Sequence, residues 1–359
     1  MMKHDDEPKR EGDACPETPP QGKRHKRGAP RPSMRHEFME LFRDTRLSPL
    51  DEAPASEAAA PAEPARKREA RRVGGATPTE PSRFLRRFLQ QAAPSPELAG
   101  SGLAVLDEHL GGGFSSGLHL VVGARGSGKT AFLESLAWEA VGSHRPSLYY
   151  ALKPGSLEVW ERLIAALGTI LEGPGITPAA LRGRDLTSDD VQTLARLDAA
   201  LQASVLPYLS LVDAAPGSVA NLTSFVEGLR SHSQEAAQQH GRLPIVLIDD
   251  LDRLVALTGS RSPLHVLSRL DAALSADCIP GLLAAGSDGV LPAAVDRLPV
   301  RTVVALTQVS VGSGQQLPGG GGGRVNLEVM KNSTTGWTGT VPLLLDPSSG
   351  LFAEAGPTD

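Results

Sequence analysis

From residue 98 onward the chain alternates short apolar runs with stretches whose apolar residues recur at helical spacing, which predicts strands and helices in alternation. The predicted strands are 118–122, 147–152, 208–212, 244–248, 279–285, 302–307, 325–330 and 341–345. Several are unbroken apolar runs rather than alternating ones, as expected of strands buried on both faces of a sheet. The predicted helices are 129–141, 156–170, 188–203, 218–237 and 263–276, with Ser188 and Ser218 as expected N-caps. This order predicts an α/β fold, a mainly parallel central sheet flanked by helices. The last two strands are expected to pair as a C-terminal β-hairpin. Residues 312–324, GSGQQLPGGGGGR, read as a flexible loop, because consecutive glycines carry too much backbone entropy for regular structure.

The first 97 residues follow no such pattern. They are rich in Pro, Ala, Glu, Arg and Lys, with DEAPASEAAAPAEPARKREARR as the clearest low-complexity run, and a tail of this composition is expected to be disordered. Two segments depart from it, as short helices predicted at 34–46 and 82–92. Met34, Phe38, Leu41 and Phe42 share one helical face, and Phe84, Leu85, Phe88 and Leu89 share another. Each is a candidate docking segment for a protein partner. The chain is thus divided into a tail, 1–97, and an ordered domain, 98–359.

Charge follows the same division. The tail holds 19 Lys and Arg against 16 Asp and Glu, which leaves 17 basic and 25 acidic residues of the totals of 36 and 41 for the domain. An acidic domain lacks the clustered Lys and Arg of a broad nonspecific DNA-binding surface, so DNA binding would fall to local loops, where Arg297, Arg301 and Arg324 are candidates. No stretch approaches the roughly 20 apolar residues that span a bilayer, and MMKHDDEPKR lacks a signal peptide's apolar core, so a cytoplasmic protein without a membrane partner is expected. Cys15 and Cys278 suggest neither a disulfide framework nor a thiolate metal site, and the histidines show no metal-ligand spacing.

The candidate chemistry begins where the apolar run 118–122 enters Gly123-Ala124-Arg125-Gly126-Ser127-Gly128-Lys129-Thr130 and a helix follows. Strand, glycine loop and helix in this order make a phosphate-binding loop. Its backbone N–H groups and helix N-terminus would face nucleotide phosphates, Lys129 would reach the β/γ oxygens, and Thr130 would ligate Mg2+. A second strand, Pro244-Ile245-Val246-Leu247-Ile248, ends in Asp249, a candidate carboxylate for the metal. Asp250 either orients the attacking water or sits in a solvated loop with Asp252 and Arg253.

With these motifs placed, the domain resembles the RecA-like P-loop NTPases, and within them the ATPase domain of DnaB-type replicative helicases. The likeness extends to Ser101-Gly102-Leu103-Ala104-Val105-Leu106-Asp107 before the loop. At the other end it extends to Glu328-Val329-Met330-Lys331-Asn332, Thr338-Gly339-Thr340-Val341, Leu345-Asp346 and Gly350-Leu351-Phe352. The resemblance implies ATP and Mg2+ as ligands, a homo-oligomer such as a ring, and Lys331 as a contact to a neighbour's γ-phosphate. It also implies impaired catalysis. The family's water-activating glutamate is replaced by Lys153, its polar glutamine by Gly286 or Ser287, and its Lys-x-Arg pair by Lys331-Asn332-Ser333. Three functions stay open: a weak Mg-dependent ATPase coupled to oligomer or partner assembly, a DNA helicase or translocase, and a non-hydrolysing nucleotide-sensing scaffold.

Overall fold

The computed structural model describes residues 97–153, 155–171, 175–213, 219–286, 295–309, 323–346 and 349–355. The two expected docking segments, the expected tail disorder up to residue 96 and residues 312–322 of the glycine-rich stretch lie outside the described residues.

The elements run α1 (Ala104–Leu110), β1 (Gly117–Gly123), α2 (Lys129–Gly142), β2 (Ser147–Ala151), α3 (Ser156–Leu171), α4 (Pro178–Gly183) and α5 (Ser188–Ala200). There follow β3 (Leu209–Asp213), α6 (Leu222–His240), β4 (Ile245–Asp249), α7 (Leu251–Thr258), α8 (Pro263–Ala276), β5 (Pro280–Gly286), β6 (Thr302–Gln308), β7 (Gly323–Asn332), β8 (Gly339–Leu345) and β9 (Phe352–Glu354). They form one nine-stranded sheet in the order β3-β2-β4-β5-β1-β6-β7-β8-β9. From β3 to β6 the pairing is parallel. From β6 to β9 it is antiparallel, and β7 and β8 make the expected hairpin.

Two apolar layers explain why the central strands read as continuous hydrophobic runs. In β1, Val121 faces a layer with α1, α2 and α3, whereas Leu118, Leu120 and Val122 face a layer with α6, α7 and α8. In β4, Ile245 and Leu247 face the first layer, Val246 and Ile248 the second. Each fully buried side chain of this kind contributes roughly 1.5–3 kcal/mol relative to exposure. The alternation also aims the site. One residue further along β4, Asp249 falls on the face that carries α2.

All eight expected strands are present, shifted by a residue or two at their ends. The expected N-cap Ser188 is displaced by one residue, and Ser218 lies outside the described residues. Thr187 caps α5 and Asn221 caps α6, each in a reciprocal capping box, because their side chains accept the N–H three residues on. The expected loop at 312–324 ends early, since Gly323 and Arg324 pair with Leu345 and Leu344 inside the sheet. Helices α1, α4 and α7 and strand β9 were not expected. β9 matters for the site, because the Phe352 amide donates to Ser135 Oγ in α2 at 3.0 Å and its ring meets Phe132 edge-on.

Candidate functional site

The strand-loop-helix unit forms as the sequence predicts. β1 ends at Gly123 and α2 begins at Lys129, with Gly128 as N-cap in the left-handed region at φ 99°. A Cβ there would also lie 2.9 Å from the Phe352 ring. At Gly123, a Cβ would lie 2.3 Å from Ser127 Oγ and 2.8 Å from the Leu306 carbonyl, so the loop is folded tightly onto β6. Lys129 Nζ donates to the carbonyls of Gly123 and Ala124, both at 2.8 Å. From the end of β6, Gln308 Nε2 donates to the Gly126 carbonyl at 2.8 Å.

Asp249 is 2% exposed at the end of β4, and its Oδ2 accepts from Thr130 Oγ1 at 2.6 Å and from the Tyr149 hydroxyl at 3.3 Å. Burial raises its pKa to about 6, against the lowering effect of the Thr130 hydrogen bond. Burial and the neighbouring Asp249 charge hold the Tyr149 phenol well above its ordinary value, so it remains a donor. A second buried acid lies one helical turn below Thr130. Glu134 of α2 accepts from Arg162 Nε of α3 at 2.7 Å, and burial raises its pKa to about 7. Sequence reasoning missed Tyr149, Glu134, Arg162 and Gln308. Glu134 had left one signal, an acid four residues after Thr130 that directly follows the apolar run Ala131-Phe132-Leu133.

The remaining expected residues are distributed differently. Asp250 caps α7, its Oδ1 accepting from the Arg253 amide at 2.9 Å. Lys331 pairs with Val303 near the start of β6, whereas the phosphate loop lies beside Leu306 near its end, so the two are not brought together within one chain. Lys331 Nζ donates to the carbonyls of Asp296 at 3.0 Å and Leu298 at 2.7 Å. Gly286 ends β5 beside Gly123, and Ser287 lies outside the described residues. Arg301 donates to Ser275 Oγ at 3.2 Å, Arg297 lies in a 3-10 turn, and Arg324 lies in β7 rather than a loop.

A cleft of about 390 Å³ flanks the phosphate loop, lined by residues 123–125, Ser127 and residues 305–308. A more voluminous cleft, about 540 Å³, lies between the start of α6, the end of α7 and the start of α8. It is polar but contains none of the phosphate-loop residues. Thr130 and Asp249 line neither cleft; they meet each other at the start of α2, on the β4 side of the loop. There a hydroxyl and a buried carboxylate meet at a helix N-terminus, next to a loop whose carbonyls hold the Lys129 ammonium, and these two oxygen donors suit Mg2+ beside a polyphosphate.

Sheet order, phosphate loop and facing carboxylate together define a RecA-like P-loop fold. No protein-family model and no curated protein sequence matches the chain. Among solved structures, an isolated ATPase domain is similar at 17% identity and a TM-score of 0.57, covering 76% of this chain and 96% of that one. A DnaB-like replicative helicase, solved in a study of its interactions with primase, is similar at 17% identity and the same TM-score of 0.57, covering 77% and 68%. The chain has the fold of these DnaB-like ATPase domains.

Proposed function

We propose that residues 98–359 bind ATP with Mg2+ at the phosphate loop, hydrolyse it slowly, and couple binding to assembly with further copies of the chain or another partner. The observation that carries this reading is the 2.6 Å hydrogen bond from Thr130 to the buried Asp249 carboxylate, next to a lysine resting on loop carbonyls. Gly123, Ala124, Arg125, Gly126, Ser127 and Gly128 would present N–H groups to the phosphates. Lys129 would exchange its two carbonyls for phosphate oxygens, a stronger charge-assisted contact. Thr130 and Asp249 would hold the metal, which supplies charge neutralisation on the β- and γ-phosphates.

Slow turnover follows from what surrounds that cradle. Lys153 supplies no base, and Asp250 commits one oxygen to its helix cap, leaving the other for orienting water. An arginine finger is worth about 10³–10⁵ in rate in other P-loop enzymes, and Lys331 is followed by Asn332 and Ser333. Lys331 also lies away from its own phosphate loop, which favours a contact across copies, in a ring, over one within the chain. The tail segments near 34–46 and 82–92 are the proposed docking elements for a partner, and a cytoplasmic location is proposed with them. Among the described residues no helix is long and apolar enough to cross a membrane.

The same features favour, as a second reading, a scaffold that binds ATP without consuming it. A DNA motor is the third, supported by likeness to a replicative helicase. Phosphate release by the full chain and its Lys129→Ala variant, with and without single-stranded DNA, separates them. Turnover lost in the variant supports the ATPase, and DNA stimulation supports the motor. ATP binding without turnover supports the scaffold, and turnover untouched by Lys129→Ala overturns the proposed site.

A further inference from the structure

The nucleotide reading leaves one cation beside the metal carboxylate without a task. At the end of β2 the chain turns off the sheet, and the amides of Leu152 and Lys153 both donate to the Asp249 carbonyl at 2.8 Å. These bonds fix the Lys153 backbone against the residue whose carboxylate faces Thr130. The Lys153 side chain is exposed, and its ammonium makes no hydrogen bond or ion pair among the described residues. Acids lie on both sides of it, yet each is engaged elsewhere. Asp213, on the neighbouring strand, accepts from Ser156 Oγ at 3.0 Å. Asp249 accepts from Thr130 and Tyr149, and Asp250 caps α7.

Position decides which part of a ligand this ammonium could meet. A lysine side chain reaches roughly 6 Å from its Cα, whereas β1, which leads into the phosphate loop, lies three strands from β2, about 14 Å away. Lys153 can therefore sweep the space beside Asp249, on the adjacent strand, but not the far side of the loop. A polyphosphate cradled over the start of α2 has its metal-bound, terminal end on the β4 side, because Thr130 and Asp249 are there. Its other end points toward β6.

We propose that Lys153 binds the terminal phosphate of a nucleoside triphosphate and makes the site discriminate triphosphate from diphosphate. The inference rests on the nucleotide reading above. A diphosphate would leave the ammonium in water, so the contact adds affinity only when the third phosphate is present. Lysine suits this as a compact cation on a flexible stem.

The test compares Mg·ATP, Mg·ADP and a non-hydrolysable ATP analogue by equilibrium binding to the full chain. The proteins are wild type, Lys153→Ala, Lys153→Arg and Lys153→Glu, each with its melting temperature measured. Lys153→Ala should weaken ATP and analogue binding about tenfold, as for loss of one charge-assisted contact, and change ADP binding less than about twofold. Lys153→Arg should keep most of the preference, and Lys153→Glu should favour ADP. An ATP-to-ADP affinity ratio unchanged in the folded Lys153→Ala protein overturns the inference and leaves the nucleotide reading intact. A wild-type protein that binds neither nucleotide overturns both.

Discussion

Replacing Arg162 by Met tests how much the Glu134–Arg162 ion pair stabilises the fold. Arg162 Nε donates to Glu134 at 2.7 Å, with the Glu134 side chain 4% exposed and that of Arg162 26%. Breaking a buried pair by removing one partner typically costs about 3–5 kcal/mol, since the other charge is left in a medium that solvates it poorly. The partial exposure of Arg162 puts the expected loss near the lower end, about 3 kcal/mol. Removing both charges, as Glu134→Leu with Arg162→Met, should cost less than about 1 kcal/mol, because apolar side chains of similar volume replace the pair without stranding a charge. Urea denaturation of the full chain measures this through the midpoint at constant m-value. In a domain of this size, 3 kcal/mol corresponds to a melting shift of roughly 6–12 °C. A double variant as unstable as the single, or a single variant costing under about 1 kcal/mol, would refute the reasoning.

Other predictions concern the same core and cradle. His119 is buried in β1, donates from Nε2 to the Ser115 carbonyl, and burial lowers its pKa to about 4. Between pH 6.5 and 4 the unfolded chain therefore holds a proton that the folded chain does not. His119 stability is lost as pH falls through that window, by up to about 3 kcal/mol, and His119→Gln should flatten the acid side of the urea-midpoint profile. Glu134 and Asp249 act in the opposite sense, because their pKa values are raised to about 7 and about 6. Their contribution is present at low pH and lost as pH rises through those values, so Glu134→Gln should reduce the decline toward neutrality in the same titration. Gly128→Ala should cost roughly 1–3 kcal/mol in thermal denaturation, from the positive φ and the Phe352 contact. Tyr149→Phe leaves Asp249 with Thr130 as its one side-chain donor among the described residues. Its Mg·ATP dissociation constant should rise about three- to tenfold, with ATP binding in EDTA little changed.

The parts of this protein legible in its sequence are those whose physics is local. β1 and β4 read as strands because both faces are buried, and the glycine loop reads as a phosphate cradle because strand, glycines and helix follow in order. Asp249 stood out as an acid ending an apolar run, and its side-chain direction follows from strand alternation. Short elements were missed where the signal was brief. α7 has Leu251, Leu254, Val255 and Thr258 at helical spacing, but eight residues after a strand read equally well as a loop. Asp250 is ambiguous for the same reason, since an acid at a strand end can serve a cap or a metal site. Glu134 and Arg162 lie 28 residues apart, and nothing local announces that two helices bring them together. The position of Lys331 at the opposite end of β6 from the loop likewise depends on antiparallel register, which its own neighbours do not specify.

The central claim, that the loop before α2 holds a nucleoside triphosphate, is tested most directly by equilibrium binding of Mg·ATP to the full chain and to its Lys129→Ala variant. Wild type should bind saturably, and the variant, with an unchanged melting temperature, should bind at least tenfold more weakly. No saturable binding by the folded wild-type protein, or equal affinity in the folded variant, would contradict the account.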